Sequence, residues 1–160
     1  MTLKISISGI RGIAGDSLSD DVITNFSKAF AKYLNNGKIV IGSDTRKSKD
    51  YIKNLILKTL SDEKCEIVDI GIAPTPTTQL AVISNKADGG IVITASHNPS
   101  EWNGLKFIRR DGIFLNEKEA GELIGLYHQQ PSPLPRQARL PLSPLGAGER
   151  GQGVRGFKTD

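Results

Sequence analysis

Gly89-Gly90-Ile91-Val92-Ile93-Thr94-Ala95-Ser96-His97-Asn98-Pro99 decides the reading of this 160-residue chain. Apolar and β-branched residues run directly into small and polar ones, the pattern of a buried strand delivering a polar loop to the edge of a sheet. Open α/β sheets bind ligands just beyond the carboxyl ends of their strands, and Ser96 falls there. Pro99 restricts Asn98 before it and stops the strand from continuing. Asn103-Gly104 then reads as a turn into a second strand, Leu105-Lys106-Phe107-Ile108, which returns a lysine past the same loop. A hydroxyl, an imidazole, an amide and an ammonium thus come from positions 96–106, and any chemistry is expected there.

Upstream, residues 3–8 alternate apolar and polar and read as the first strand, followed by a glycine loop from Gly9 to Gly15. Arg11 in such a loop is either a clamp for phosphate or carboxylate, through its planar two-bond fork, or a solvated residue in a plain connection. A helix is expected over 19–36. Asp20 and Asp21 lie in its first turn, Val22, Phe26, Ala29, Phe30 and Tyr33 recur at helical spacing, and Gly37 supplies a left-handed cap. Lys38–Gly42 is a short buried strand. Its following loop, 43–48, carries Asp44 and Arg46, read as a local ion pair that shapes the loop, and Ser48 as the N-cap of a helix over 49–61.

A third strand at 66–71 leads to Thr75-Pro76, an N-cap with proline at the first helical position. After the strands at 90–94 and 105–109, Asp111-Gly112 turns tightly, and Asn116 caps a last helix with Glu117 and Glu119 in its first turn. Strands alternating with helices predict an α/β fold, a three-layer α/β/α sandwich with a mixed, mostly parallel sheet. Right-handed crossovers would bring the loops at 9–17, 43–48, 71–75 and 95–99 to one edge. Arg11, Arg46, Ser96 and His97 gather there, a composition suited to an anionic, phosphorylated ligand.

Hydrophobic residues make up 38% of the chain, no apolar run approaches a membrane span and no signal-peptide pattern opens it, so the cytoplasm is the default address. A lone cysteine, Cys65, excludes an internal disulfide and reads as a packed small hydrophobe. The net charge is +4, but residues 131–160 hold five basic residues against two acidic ones, leaving the remainder nearly neutral. A basic nucleic-acid-binding face in the folded part is therefore not expected. Those last thirty residues also contain five prolines and five glycines with no periodic pattern. The chain divides accordingly into a domain over 1–128 and a disordered tail over 129–160.

Together, Ser8-Gly9-Ile10-Arg11-Gly12, Gly42-Ser43-Asp44-Thr45-Arg46, Pro74-Thr75-Pro76, Thr94-Ala95-Ser96-His97-Asn98-Pro99 and Asn103-Gly104-Leu105-Lys106 resemble domain I, the N-terminal domain, of the α-D-phosphohexomutase superfamily. Its members are phosphoglucomutase, phosphomannomutase, phosphoglucosamine mutase and acetylglucosamine phosphate mutase. The likeness spans roughly residues 3–127, and residues 100–106 look most like the phosphoglucosamine or phosphoglucomutase/phosphomannomutase branches. The resemblance implies that Ser96 carries a phosphoryl group and exchanges it with a hexose phosphate through a hexose 1,6-bisphosphate, moving phosphate between O1 and O6. It implies roles in charge stabilisation and proton transfer for Lys106 and Arg11. His97 would help position the sugar hydroxyl, and Asn98 would join these residues in binding substrate. It also implies a Mg²⁺ that touches Ser96 only through its phosphate.

The other ligands of that ion belong to a second domain, and no Asp-Gly-Asp run occurs in this chain. The tail is expected to be the frameshifted or read-through end of a truncated mutase, with little or no turnover by the chain alone unless a separate chain supplies the missing domains. Two other readings stand beside this one: a non-catalytic phosphosugar-binding fragment, and polyanion binding through the basic tail. A serine–histidine hydrolase is disfavoured because no Gly-x-Ser-x-Gly elbow is present and the side chains of adjacent Ser96 and His97 are expected to diverge.

Overall fold

The computed structural model describes residues 3–131, and the expected tail lies outside the described residues apart from its first three positions. Six strands and four helices follow one another as β1 (Lys4–Ser6), β2 (Gly9–Ile13), α1 (Asp20–Tyr33), β3 (Lys38–Ser43), α2 (Lys49–Asp62), β4 (Glu66–Ile72), α3 (Thr75–Ser84), β5 (Gly89–Ile93), β6 (Trp102–Arg109) and α4 (Glu117–His128). The strands form one sheet in the order β1-β2-β6-β5-β3-β4.

The fold is α/β with a mixed sheet, as expected, but its parallel share is smaller. Parallel pairing is confined to β4-β3-β5, while β5–β6, β6–β2 and β2–β1 are antiparallel. Parallel neighbours need a crossover that carries the chain back, usually a helix. None lies between β1 and β2 or between β5 and β6, so those connections fold straight back.

Alternation along β3 and β5 separates the two faces of the sheet. Ile39, Ile41, Ile91 and Ile93 join Phe26, Phe30, Ile52 and Ile56 in the larger core under α1, α2 and α4. Val40 and Val92 face the other way, with Val82 of α3, into a smaller core. On the larger side the aromatic rings tie the layers together. Phe107 of β6 lies 4.9 Å from Phe30, and Phe26 stacks on Tyr127 of α4 with centroids 4.0 Å apart. The α3 contacts fall on β3, β5 and β6, so no helix among the described residues roofs the β1–β2 end of that face.

Helix starts follow the expected chemistry. Ser19 caps α1 by accepting from the Val22 amide. Asn116 and Glu119 form a reciprocal capping box at α4, each side chain taking the other's backbone N–H. Asn116→Ala is expected to cost about 1 kcal/mol, read as a lowered urea midpoint with an unchanged fold. Three local expectations are corrected. Gly37 is not the left-handed cap of α1; Asn35 (φ 52°) and Asn36 (φ 56°) take that conformation, which asparagine tolerates. Gly37 instead leaves room for the Asp88 carboxylate, which accepts from the Lys38 amide at 2.8 Å. Ser48 sits at the α2 N-cap without a capping bond: its backbone is helical rather than extended, and its hydroxyl accepts from Asn103. Pro74, not Thr75, is the N-cap of α3.

Two glycine-containing stretches expected as loop or turn are strand. Gly9–Ile13 is β2, reached from β1 by a two-residue hairpin in which Gly9 takes φ 125°. Asn103 and Gly104 lie inside β6, paired with Gly12 and Arg11. A Cβ on Gly104 would meet the Ile10 carbonyl oxygen and stand 3.0 Å from that of Thr94. The glycine is there because backbone must approach backbone. No helix among the described residues is long and apolar enough to cross a membrane.

Candidate active site

Ser96 stands in the loop that leaves β5 before β6 begins. Three bonds shape that loop locally: the Ser96 amide donates to Thr94 Oγ1 at 3.1 Å, the Asn98 amide to the Ala95 carbonyl at 3.1 Å, and the Trp102 amide to the Pro99 carbonyl at 3.0 Å. Ser96 itself takes φ 56°. A left-handed conformation in a non-glycine residue costs of order 1 kcal/mol and persists where the surroundings enforce it. Ser96 and His97 are both exposed.

A cleft of about 190 Å³ opens beside this loop, lined by Ser96, His97, Thr94, Arg11, Lys106 and the serines of the β1–β2 hairpin, Ser6 and Ser8. Arg11 reaches it from β2. It is thus carried on a strand rather than in the expected glycine loop, and its Nη1 donates to Asn98 Oδ1 at 3.2 Å. Lys106 comes from β6, on the sheet face opposite Leu105 and Phe107, with its Nζ 5.3 Å from the centre of the Phe114 ring. Two strands and one loop therefore bring together the five residues expected from the sequence: Arg11, Ser96, His97, Asn98 and Lys106. The cleft wall carries two fixed positive charges and no carboxylate.

Arg46 belongs to the site in a different way from the one expected. The ion pair with Asp44 is present, with Nε on Asp44 Oδ2 at 3.2 Å, and it does shape the loop. The same guanidinium also crosses to the Ser96 loop, donating to carbonyls there, so its charge is not offered to a ligand. Asp44 Oδ2 in turn accepts from Thr94 Oγ1 at 2.7 Å. Asp44 and Thr94 were not marked as working together. The signal was the Asp-x-Arg spacing directly after a buried strand, but a partner fifty residues away is visible only in the fold. All four stretches expected at one edge meet there, 9–17 partly as strand β2: the Ala14 amide donates to the Glu101 carbonyl just past the Ser96 loop. The Ser43 carbonyl accepts from the Ala73 amide, and the Asp44 amide donates to the Ile93 carbonyl.

Ser96 Oγ lies 3.3 Å from His97 Nδ1, so these neighbouring side chains converge instead of diverging. That removes one of the two objections to a hydrolase pair. The missing Gly-x-Ser-x-Gly elbow still argues against it, and so does the lack of any carboxylate hydrogen-bonded to the His97 ring among the described residues. Magnesium takes hard oxygen ligands in near-octahedral array. The cleft offers serine hydroxyls beside two cations, and the described residues contain no cluster of three or more His, Cys, Asp or Glu able to hold a metal. These residues alone do not fit the ion.

A larger cavity, about 410 Å³, lies near the far end of β6 between Tyr33, Arg109, Asp111 and Glu119. Of the two arginines in its lining, Arg109 and Arg110, the first is already matched. Arg109 pairs with Asp111 and Glu119, which holds the Asp111 carboxyl below its ordinary range and strengthens the hold of Arg109 on its proton.

A family model described as phosphoglucomutase/phosphomannomutase, alpha/beta/alpha domain I, matches residues 3–133. Proteins named "probable phosphoglucosamine mutase" are 41% identical over 116 residues in Thermococcus kodakarensis and 39% identical over 123 residues in Pyrococcus abyssi. The matched parts are 72% and 77% of this chain, but only 26% and 27% of those relatives. The chain thus spans about a quarter of the length of the curated relatives it matches. Among solved structures, a Burkholderia thailandensis phosphoglucomutase/phosphomannomutase family protein superposes with a TM-score of 0.65 at 27% identity, over 78% of this chain and 31% of that one. A Thermus thermophilus protein assigned as a phosphomannomutase gives 0.74 at 28% identity, over 79% and 30%.

Proposed function

This chain belongs to the phosphoglucomutase/phosphomannomutase family as its α/β/α domain I, and from that premise we propose that Ser96 is a phosphoryl relay for a hexose phosphate. The observation that carries the reading is the convergence of an exposed hydroxyl, two fixed cations and an imidazole on one cleft. Phosphoryl transfer asks a protein for position and for compensation of spreading negative charge. In the relay, Ser96 Oγ forms a bond to phosphorus as the bond from phosphorus to a sugar oxygen breaks. The proton leaves Oγ, and the departing sugar oxygen takes one up. In the return step a hydroxyl of the bound monophosphate attacks the phosphoserine and restores Ser96.

Arg11 and Lys106 offset the charge on the transferring group, and Lys106 is the nearer candidate for moving the proton because an ammonium can lose one where a guanidinium cannot. His97 Nδ1, beside Oγ, orients the incoming hydroxyl. Mg²⁺ would supply further charge compensation, but the residues here do not hold it. A cleft of about 190 Å³ is smaller than sites that enclose a whole small molecule. It suits a phosphate and part of a sugar, in keeping with a chain matching a quarter of its relatives. We expect single, slow transfers from this chain and little or no multiple turnover, since positioning alone contributes orders of magnitude.

Binding tests the charge assignment. Arg11→Gln and Lys106→Gln are each expected to weaken α-D-glucose 6-phosphate by roughly tenfold, as removal of a charge-assisted hydrogen bond does. Amide shifts at positions 11, 96 and 106 report the occupancy. Shifts confined to the Arg109 cavity, or unchanged affinity in both variants, contradict the proposal.

A further inference from the structure

Every donor of Arg46 is used inside the protein. The guanidinium has five N–H groups. Nε goes to Asp44 Oδ2 at 3.2 Å, Nη1 to the carbonyls of Pro99 at 2.6 Å and Trp102 at 2.9 Å, and Nη2 to those of Ser96 at 2.8 Å and Asn98 at 2.7 Å. The Arg46 side chain is 13% exposed. Its four carbonyl partners belong to the single loop around Ser96 and the residue that starts β6. From the other side, Asp44 Oδ2 accepts from Thr94 Oγ1, and Thr94 Oγ1 accepts from the Ser96 amide. Ser96 is therefore held at both its amide and its carbonyl by one connected network, and it is the residue of that loop with a positive φ.

We infer that Arg46, with Asp44 and Thr94, is a positioning device that enforces the left-handed conformation of Ser96 and so sets its hydroxyl in the cleft that Arg11 and Lys106 line. The energetic logic is direct. A non-glycine residue leaves this conformation when nothing pins its two peptide groups, and the hydroxyl swings with the backbone. Arg46 pins the loop because a planar fork can serve several carbonyls at once, and Asp44 offsets the charge that this brings into a poorly hydrated place. The consequence for chemistry rests on the relay reading of Ser96; the conformational part does not.

Arg46→Lys keeps the charge but offers three donors from one point, too few and too close together for five acceptors. Thr94→Val removes the hydroxyl between Asp44 and Ser96 while leaving Arg46 in place. It carries the test if the lysine variant fails to fold. Three quantities are measured on the 160-residue chain: the Ser96 backbone shifts and HN–Hα coupling, the rate of phosphoryl uptake from α-D-glucose 1,6-bisphosphate by intact mass, and the affinity for α-D-glucose 6-phosphate. In both variants Ser96 is expected to lose its left-handed signature and uptake to fall roughly a hundredfold. Affinity should change less than about twofold, because Arg11 and Lys106 are fixed on strands. Retention of the signature in the folded variants, or uptake falling only in step with affinity, overturns the inference. Absence of uptake in the unmodified chain counts against the relay alone, and the NMR comparison then decides the role of Arg46.

Discussion

Ser96→Ala is expected to abolish phosphoryl uptake from α-D-glucose 1,6-bisphosphate altogether, while the unmodified chain gains the mass of one phosphoryl group. The effect is expected to be total because, among the described residues, the other hydroxyls of the cleft are engaged, Thr94 Oγ1 by Asp44 and the hairpin serines by each other. Ser6 and Ser8 also line the cleft, but they sit in the hairpin, where Ser6 Oγ is engaged by Ser8 Oγ at 3.2 Å and by the Gly9 carbonyl at 3.1 Å. Removing the Ser96 hydroxyl deletes one oxygen from an exposed loop residue and leaves the Arg46 network, which is built on backbone carbonyls, intact. The variant should therefore melt like the unmodified chain and bind α-D-glucose 6-phosphate with similar affinity. Uptake that persists in Ser96→Ala would place the nucleophile elsewhere.

Gly104→Ala is expected to be strongly destabilising. Gly104 pairs with Arg11 across β2–β6, and its carbonyl accepts from the Thr94 amide at 3.0 Å. A Cβ there meets the backbone carbonyls of Ile10 and Thr94, neither of which can rotate away. Over-packing of this kind costs about 3 kcal/mol. The strain falls between β2, which carries Arg11, and the start of the Ser96 loop, so uptake should fall together with stability. A urea midpoint unchanged from the parent chain would show that the two strands can part without penalty, and would weaken the case that β6 fixes the site.

Much of this organisation was legible in the residues. The Gly89–Ile93 run is buried along its whole length and pairs on both sides, so an unbroken apolar segment correctly marked an interior strand ending at the site. Asn116 was legible because capping is local chemistry, settled within one turn of helix. Glycine was the source of the main errors. At Gly9, Gly12 and Gly104 it suggested turns and loops. In the folded chain Gly9 and Gly104 serve close approach between pieces of backbone, Gly9 also with a positive φ, and Gly12 leaves room for Ser17 and the Leu18 amide. Composition cannot separate a glycine needed for its φ from one needed for its missing Cβ.

The site divides in the same way. Arg11, Ser96, His97, Asn98 and Lys106 could be marked because their residue types and motifs carry chemistry, and they do line or border one cleft. Arg46 was marked too, but as a ligand cation at the sheet edge or a purely local ion pair. Its bonds to carbonyls fifty residues away depend on β3 and β5 lying side by side, a long-range pairing with no local signature. The closeness of Ser96 Oγ and His97 Nδ1 likewise accompanies a left-handed conformation at Ser96, which no residue-type rule predicts for serine.

The most direct measurement of the central claim is discharge of the serine. The 160-residue chain, loaded from α-D-glucose 1,6-bisphosphate and freed of it, is mixed with α-D-glucose 6-phosphate and followed by peptide mass spectrometry and ³¹P NMR. The account predicts that phosphate sits on Ser96 and leaves it as hexose 1,6-bisphosphate appears in equal amount. Phosphate found on another residue, or remaining on Ser96 while the monophosphate is bound, would contradict it.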